Sequence, residues 1–164
     1  MPLASSGGTV NSRLAASLVL GIAVALGATG CAMVSPQATT IPYSPSDGVN
    51  VPDSGPLKVR NALIVTDESG TTGNLIAAIV NDTDSAETLS LGIDGETQTV
   101  RVPARSVVSL GGDDEDPLLL EGLNTSAGET LAVTFQSGTG TGVEAEVPVL
   151  DGELAYLEDF VPES

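Results

Sequence analysis

Residues 89–103 read LSLGIDGETQTVRVP, and this stretch decides the fold. Leu89, Leu91 and Ile93 alternate with Ser90 and Gly92, the period of a half-buried strand. Asp94-Gly95 is the dipeptide that a two-residue hairpin turn prefers, because both of its central positions take positive φ. The return strand passes through Thr97, Thr99, Val100 and Val102. It stops at Pro103, which has no N–H for a ladder.

The same period of two holds on either side of this hairpin. Upstream, Leu57, Val59, Leu63 and Val65 are assigned to one side of a first, edge-like strand, with Lys58 and Arg60 on the other. Leu75 to Val80 is apolar throughout and reads as a more central strand, buried on both faces or near enough. Downstream come Ser106 to Leu110 and then Leu131, Val133 and Phe135 alternating with Thr130, Ala132 and Thr134. Last are Val143, Ala145, Val147 and Val149, with Glu144 and Glu146 on the opposite face. About seven short strands with turn residues between them predict an all-β domain over 57–150. Its expected form is an immunoglobulin-like, Greek-key sandwich, and a small Greek-key barrel would give the same pattern. Residues 151–164 are read as an acidic tail in which Leu154, Tyr156, Leu157 and Phe160 either form a docked helical turn or fray.

Ahead of the β pattern the chain has another character. Leu14 to Ala28 is apolar and uncharged, preceded by Arg13, and residues 1–30 have the layout of a signal peptide. Fifteen helical residues span about 22 Å, short of the roughly 30 Å hydrocarbon core, so a permanent membrane span is disfavoured. Ala28, Thr29 and Gly30 followed by Cys31 look like a lipobox, in which the thiol takes diacylglycerol and the leader is cut before it. Small side chains at Thr29 and Gly30 suit a narrow peptidase pocket; Ala28 departs from the large aliphatic residue usual there. Cys31 is the only cysteine, so a disulfide within the chain is impossible. Residues 31–56, rich in Pro, Ser, Thr and Gly, are expected to be a tether with an end-to-end distance of about 25–30 Å. The expected location is the outer face of the cytoplasmic membrane, reached through acyl chains on Cys31.

The anchor Gly30-Cys31, the strand from Val59 to Val65, the apolar strand ending Val80-Asn81-Asp82 and the strand ending Val147-Pro148-Val149 together resemble the LpqE-type short lipoproteins of actinobacteria. Their β domain is similar to extracytoplasmic copper chaperones of the PCuAC type. The resemblance covers roughly residues 57–150 and implies a shared β fold. It also implies Met and His ligands for copper, but this chain has no His, and its two methionines are Met1 and Met33. The metal site therefore does not carry over, and no cofactor is expected.

Charge and composition narrow the function further. The chain has 22 acidic and 5 basic side chains, a net charge of -17, and loss of Arg13 with the leader makes it one unit more negative. Nothing provides the basic footprint of a nucleic-acid binder. Without His, neither a Ser-His-Asp nor a Cys-His arrangement can be built, and a Ser-Lys pair would need Lys58, the only lysine. An enzyme is not expected. Asp113, Asp114, Glu115 and Asp116 form the one dense cluster of hard oxygen ligands and are the candidate calcium site. Four neighbours cannot all point inward, however, and a solvated loop is the simpler reading. Gly138 to Gly142 reads as a hairpin loop, since no helix or Lys follows as a phosphate loop requires. The expectation is a non-catalytic envelope interaction module with an envelope protein as partner; the alternative is a metal- or small-ligand-handling lipoprotein.

Overall fold

The computed structural model describes residues 14–22, 46–113 and 115–163. Cys31 and its neighbours Ala28, Thr29 and Gly30 lie outside the described residues, as does Asp114. Residues 14–22 form a helix whose apolar side chains are exposed. No helix among the described residues is long and apolar enough to cross a membrane.

From residue 46 onward the architecture is all-β, as the alternation predicts. The described residues form eight strands: β1 (Leu57–Thr66), β2 (Thr72–Asn81), β3 (Glu87–Ile93), β4 (Glu96–Val102), β5 (Ser106–Leu110), β6 (Leu118–Glu121), β7 (Thr130–Ser137) and β8 (Val143–Leu150). Their order is β4-β3-β7-β8-β1-β2-β5, with β6 also pairing β2. The sheet curls into a near-barrel in which β4 and β5 come into contact across the seam. Every pairing is antiparallel except β1 with β8.

The expected hairpin is present: β3 and β4 pair from Glu87↔Val102 to Ile93↔Glu96, and Asp94 and Gly95 take φ of 47° and 89°. Gly138 to Gly142 joins β7 to β8, and a Cβ at Gly140 would collide with the Ser54 carbonyl, which explains a glycine there. The core is Leu, Val and Ile drawn from the inward positions of all eight strands, with Phe135 as its fully buried ring.

Two expectations need correction. First, β1 is an interior strand between β8 and β2 rather than an edge, and its parity changes midway. Asn61 adopts φ 51° in a bulge between Arg60 and Leu63. A bulge adds one residue, so Leu57 and Val59 share the core with Ala62 and Ile64, while Leu63 and Val65 turn to the outer face. Second, β2 alternates instead of being buried on both faces: Leu75, Ala77 and Ile79 point inward, and Ile76, Ala78 and Val80 are half-buried.

Both flanks of the domain also pack against it, and the C-terminal stretch takes the docked of its two expected forms. Val49 and Ala62 exchange backbone hydrogen bonds of 2.9 and 2.8 Å, the Val51 N–H donates to Val59, and Val51 is buried. The chain thus joins the sheet by residue 49, earlier than the boundary at 57. At the other end Leu157, Phe160 and Val161, with a 3-10 turn over Glu158–Phe160, cover Leu63, Val65, Ile76 and Leu150. Residues 151–161 are therefore a docked strap.

Candidate functional site

Strand direction sorts the loops into two ends. β1, β3 and β8 all run the same way, so the β1–β2 turn, the β3–β4 turn and the segments adjoining Glu121, Thr130 and Leu150 gather at one end. The opposite end holds the basic residues. There Lys58 pairs with Asp82 at 2.7 Å, Arg60 with Asp53 at 2.7 Å and Arg105 with Asp84 at 2.9 Å. Arg101, opposite Thr88 at the start of β3, is the fourth base there. The first end carries Asp67, Glu68, Asp94, Glu96, Glu121 and Asp151 and, among the described residues, no base.

Two hollows open among these acids. A cleft of about 180 Å³ lies between the β3–β4 hairpin and the end of β6, floored by Leu91, Ile93, Leu120 and Leu123 and rimmed by Asp94, Glu96 and Glu121. The Gln98 side chain donates to the Leu119 carbonyl at 3.1 Å, tying the hairpin to β6 across the gap where those strands do not pair. The second hollow, about 560 Å³ and wide open, is bounded by Asp67, Glu68, Ser126, Asp151 and Val161.

Asp67 in that second hollow holds the β1–β2 turn together. It accepts the Ser69 hydroxyl at 2.7 Å, the Thr72 hydroxyl at 3.2 Å and the Thr71 and Thr72 amides. The Ser69 hydroxyl, followed by the Thr72 and Thr71 donors, holds its carboxyl below the usual range.

Of the candidate calcium residues, Asp113, Glu115 and Asp116 sit on the side of the barrel. Gly111 donates to the Glu115 carbonyl and Gly112 to that of Ser109, which closes a tight turn with Asp113, Glu115 and Asp116 exposed on it. Among the described residues no three His, Cys, Asp or Glu side chains converge as a metal site would require. Lys58 is committed to Asp82: the hydrogen bond and charge of that carboxylate raise the pKa of the ammonium, the opposite of what a general base needs. Asn81, in a glycosylation-like sequence, is buried with its amide facing the carbonyls of Ser85, Val102 and Pro103. The acid-only end was not legible as a unit in the sequence, because its carboxylates come from four separate segments.

No protein-family model and no curated protein matches the chain. Among solved structures, it is similar to the apo PCuAC domain from PmoF1, with 16% identity, a TM-score of 0.50 and coverage of 61% of this chain and 97% of that one. The copper-bound PCuAC domain from PmoF2 aligns at 14% identity and a TM-score of 0.48, covering 62% of this chain and 97% of that domain. At such identity the likeness is one of fold, and the β domain has the fold of the PCuAC domains.

Proposed function

We propose that this chain is a lipid-anchored, non-catalytic interaction module of the bacterial envelope, held at the outer face of the cytoplasmic membrane through acyl chains on Cys31. The observation that carries the reading is the division of the barrel into two ends. One end has its three ion pairs closed internally, and the other presents carboxylates around two hollows with no basic side chain among the described residues there. The absence of His from the whole sequence and the engagement of Lys58 by Asp82 support a binding role over a catalytic one. Loops on a rigid β scaffold are the usual place for recognition.

A second reading, metal or small-ligand handling, draws on the PCuAC-like fold. It would have to use carboxylates, since the soft ligands that suit Cu(I) are missing from the β domain.

Crosslinking in intact cells with mass-spectrometric identification tests the first reading, with Cys31→Ser as the unanchored control. A recurrent partner that disappears in the control supports the module; the absence of any enriched protein refutes it. Melting of the full chain with Ca²⁺, Zn²⁺ or copper added tests the second: a saturable shift with one metal alone supports it, and equal small shifts with all three reject it.

A further inference from the structure

We infer that the cleft between the β3–β4 hairpin and β6 receives a basic side chain, Lys or Arg, of a protein partner. The inference rests on the interaction-module reading and names the chemistry of its contact. Three features of the cleft fix the occupant.

The floor of Leu91, Ile93, Leu120 and Leu123 is apolar, and each of these residues is already held in the core, so the surface is preformed. Its volume of about 180 Å³ corresponds to about six waters. That suits one extended side chain and excludes a helix or a strand.

The rim is anionic and uncompensated. Asp94, Glu96 and Glu121 are exposed, and every ion pair among the described residues lies at the other end of the barrel. Lys and Arg are the side chains that combine an aliphatic stem for such a floor with a cationic head for such a rim. An acidic or uncharged occupant would leave the three rim carboxylates without a counter-charge beside them.

The cleft is also held open. The bond from Gln98 to the Leu119 carbonyl spaces β4 from β6, and Gly122 at φ 72° turns the chain away directly after Glu121. The lip is thus tied at Gln98 and turned at Gly122, on either side of the floor.

The test uses the full isotope-labelled chain in non-ionic detergent, titrated with N-acetyl-arginine amide and with its uncharged citrulline counterpart. Amide shifts confined to Ile93–Gln98 and Leu120–Leu123 with the arginine probe are expected, reduced by added salt and absent with citrulline. The double variant Glu96→Gln, Glu121→Gln should bind about tenfold more weakly. Glu144→Gln with Glu146→Gln, which removes the same charge from the outer face of β8, should leave binding unchanged. Shifts spread over all acidic surfaces, equal binding of citrulline, or equal loss in both double variants would overturn the inference. A crosslinked partner whose contact lies away from the cleft would overturn it and leave the module reading standing.

Discussion

The Asn81 side chain donates to the Val102 carbonyl at 3.1 Å inside the barrel, joining the last residue of β2 to the last of β4. The same NH₂ group lies 2.8 Å from the Ser85 carbonyl and 2.9 Å from that of Pro103, while Oδ1 accepts the Thr83 amide and hydroxyl. With 1% of its surface exposed, Asn81 ties the β2–β3 and β4–β5 connections together. Asn81→Asp replaces the donors by a buried anion facing three carbonyls. It should cost about 3 kcal/mol or more, read from the urea midpoint at pH 7. Asn81→Ala leaves the carbonyls unpaired without the charge and should cost less than the Asp variant.

The bulge in β1 makes a second prediction. Asn61 holds φ 51° while its Oδ1 accepts the Gly48 amide at 3.0 Å and its own N–H donates to Asn50. Asn61→Val places a β-branched side chain in the left-handed region and removes the Gly48 bond. A loss of about 2 kcal/mol is expected in denaturant melts. Asn61→Gly relieves the backbone but forfeits the bond, and should fall between the two.

How much of this was legible in the sequence follows from where side-chain parity is conserved. The β3–β4 hairpin, β7 and β8 alternate without interruption, so Leu89 through Ile93 and Leu131 through Phe135 identify their own inward faces. Parity fails at Asn61, because a bulge depends on one residue's φ and on the partner strand; the residue types from Leu57 to Val65 do not mark it. The strand β6 leaves no signal in the sequence, because Leu118, Leu119 and Leu120 show no alternation and follow Pro117. Residues 49–51 look like tether in the sequence, because backbone bonds and flanking prolines leave no periodic trace. The acidic cleft needs the hairpin and β6 brought together in space, which no local pattern encodes.

The strap at the C-terminal end should contribute measurably to stability. Leu157 is 3% exposed over Leu63 and Val65, the Asn74 amide donates to the Phe160 carbonyl at 3.0 Å, and the Tyr156 hydroxyl reaches Asp47 at 2.7 Å. Leu157→Ala should cost about 2 kcal/mol, at the low end for a buried leucine because the cluster is thin and lies at the surface. Dye binding to exposed apolar surface should rise in that variant. Tyr156→Phe should change stability little, since its bond is exposed.

Acid should act on two carboxyls in particular. Asp82 is held below the usual carboxylate range by the Lys58 hydrogen bond and charge, and Asp67 by the Ser69 hydroxyl. A depressed folded-state pKa contributes stability above the ordinary carboxylate value and loses it as the pH falls through the folded value. For Lys58 the sign is opposite: its raised pKa contributes below the ordinary lysine value and is lost as the pH climbs through the folded one. Urea midpoints of Asp67→Asn and Lys58→Met against pH should therefore differ from the parent at neutrality. The Asp67→Asn curve should converge with the parent in acid, and the Lys58→Met curve at both extremes.

Net charge governs the last prediction. At -17, with the acids at one end lacking bases, self-repulsion opposes the compact state and is screened over about 10 Å at 0.1 M salt. Raising NaCl from 10 mM to 300 mM, both set as experimental conditions of roughly these values, should raise Tm by a few degrees. Ca²⁺ and Mg²⁺ at equal ionic strength should raise it alike, because among the described residues Asp113, Glu115 and Asp116 form no group that could hold a metal ion. A calcium-specific, saturable rise that vanishes in Asp113→Asn, Asp116→Asn would show that this turn reorganises to bind the ion. The screening account would then cover only the part of the shift that NaCl reproduces.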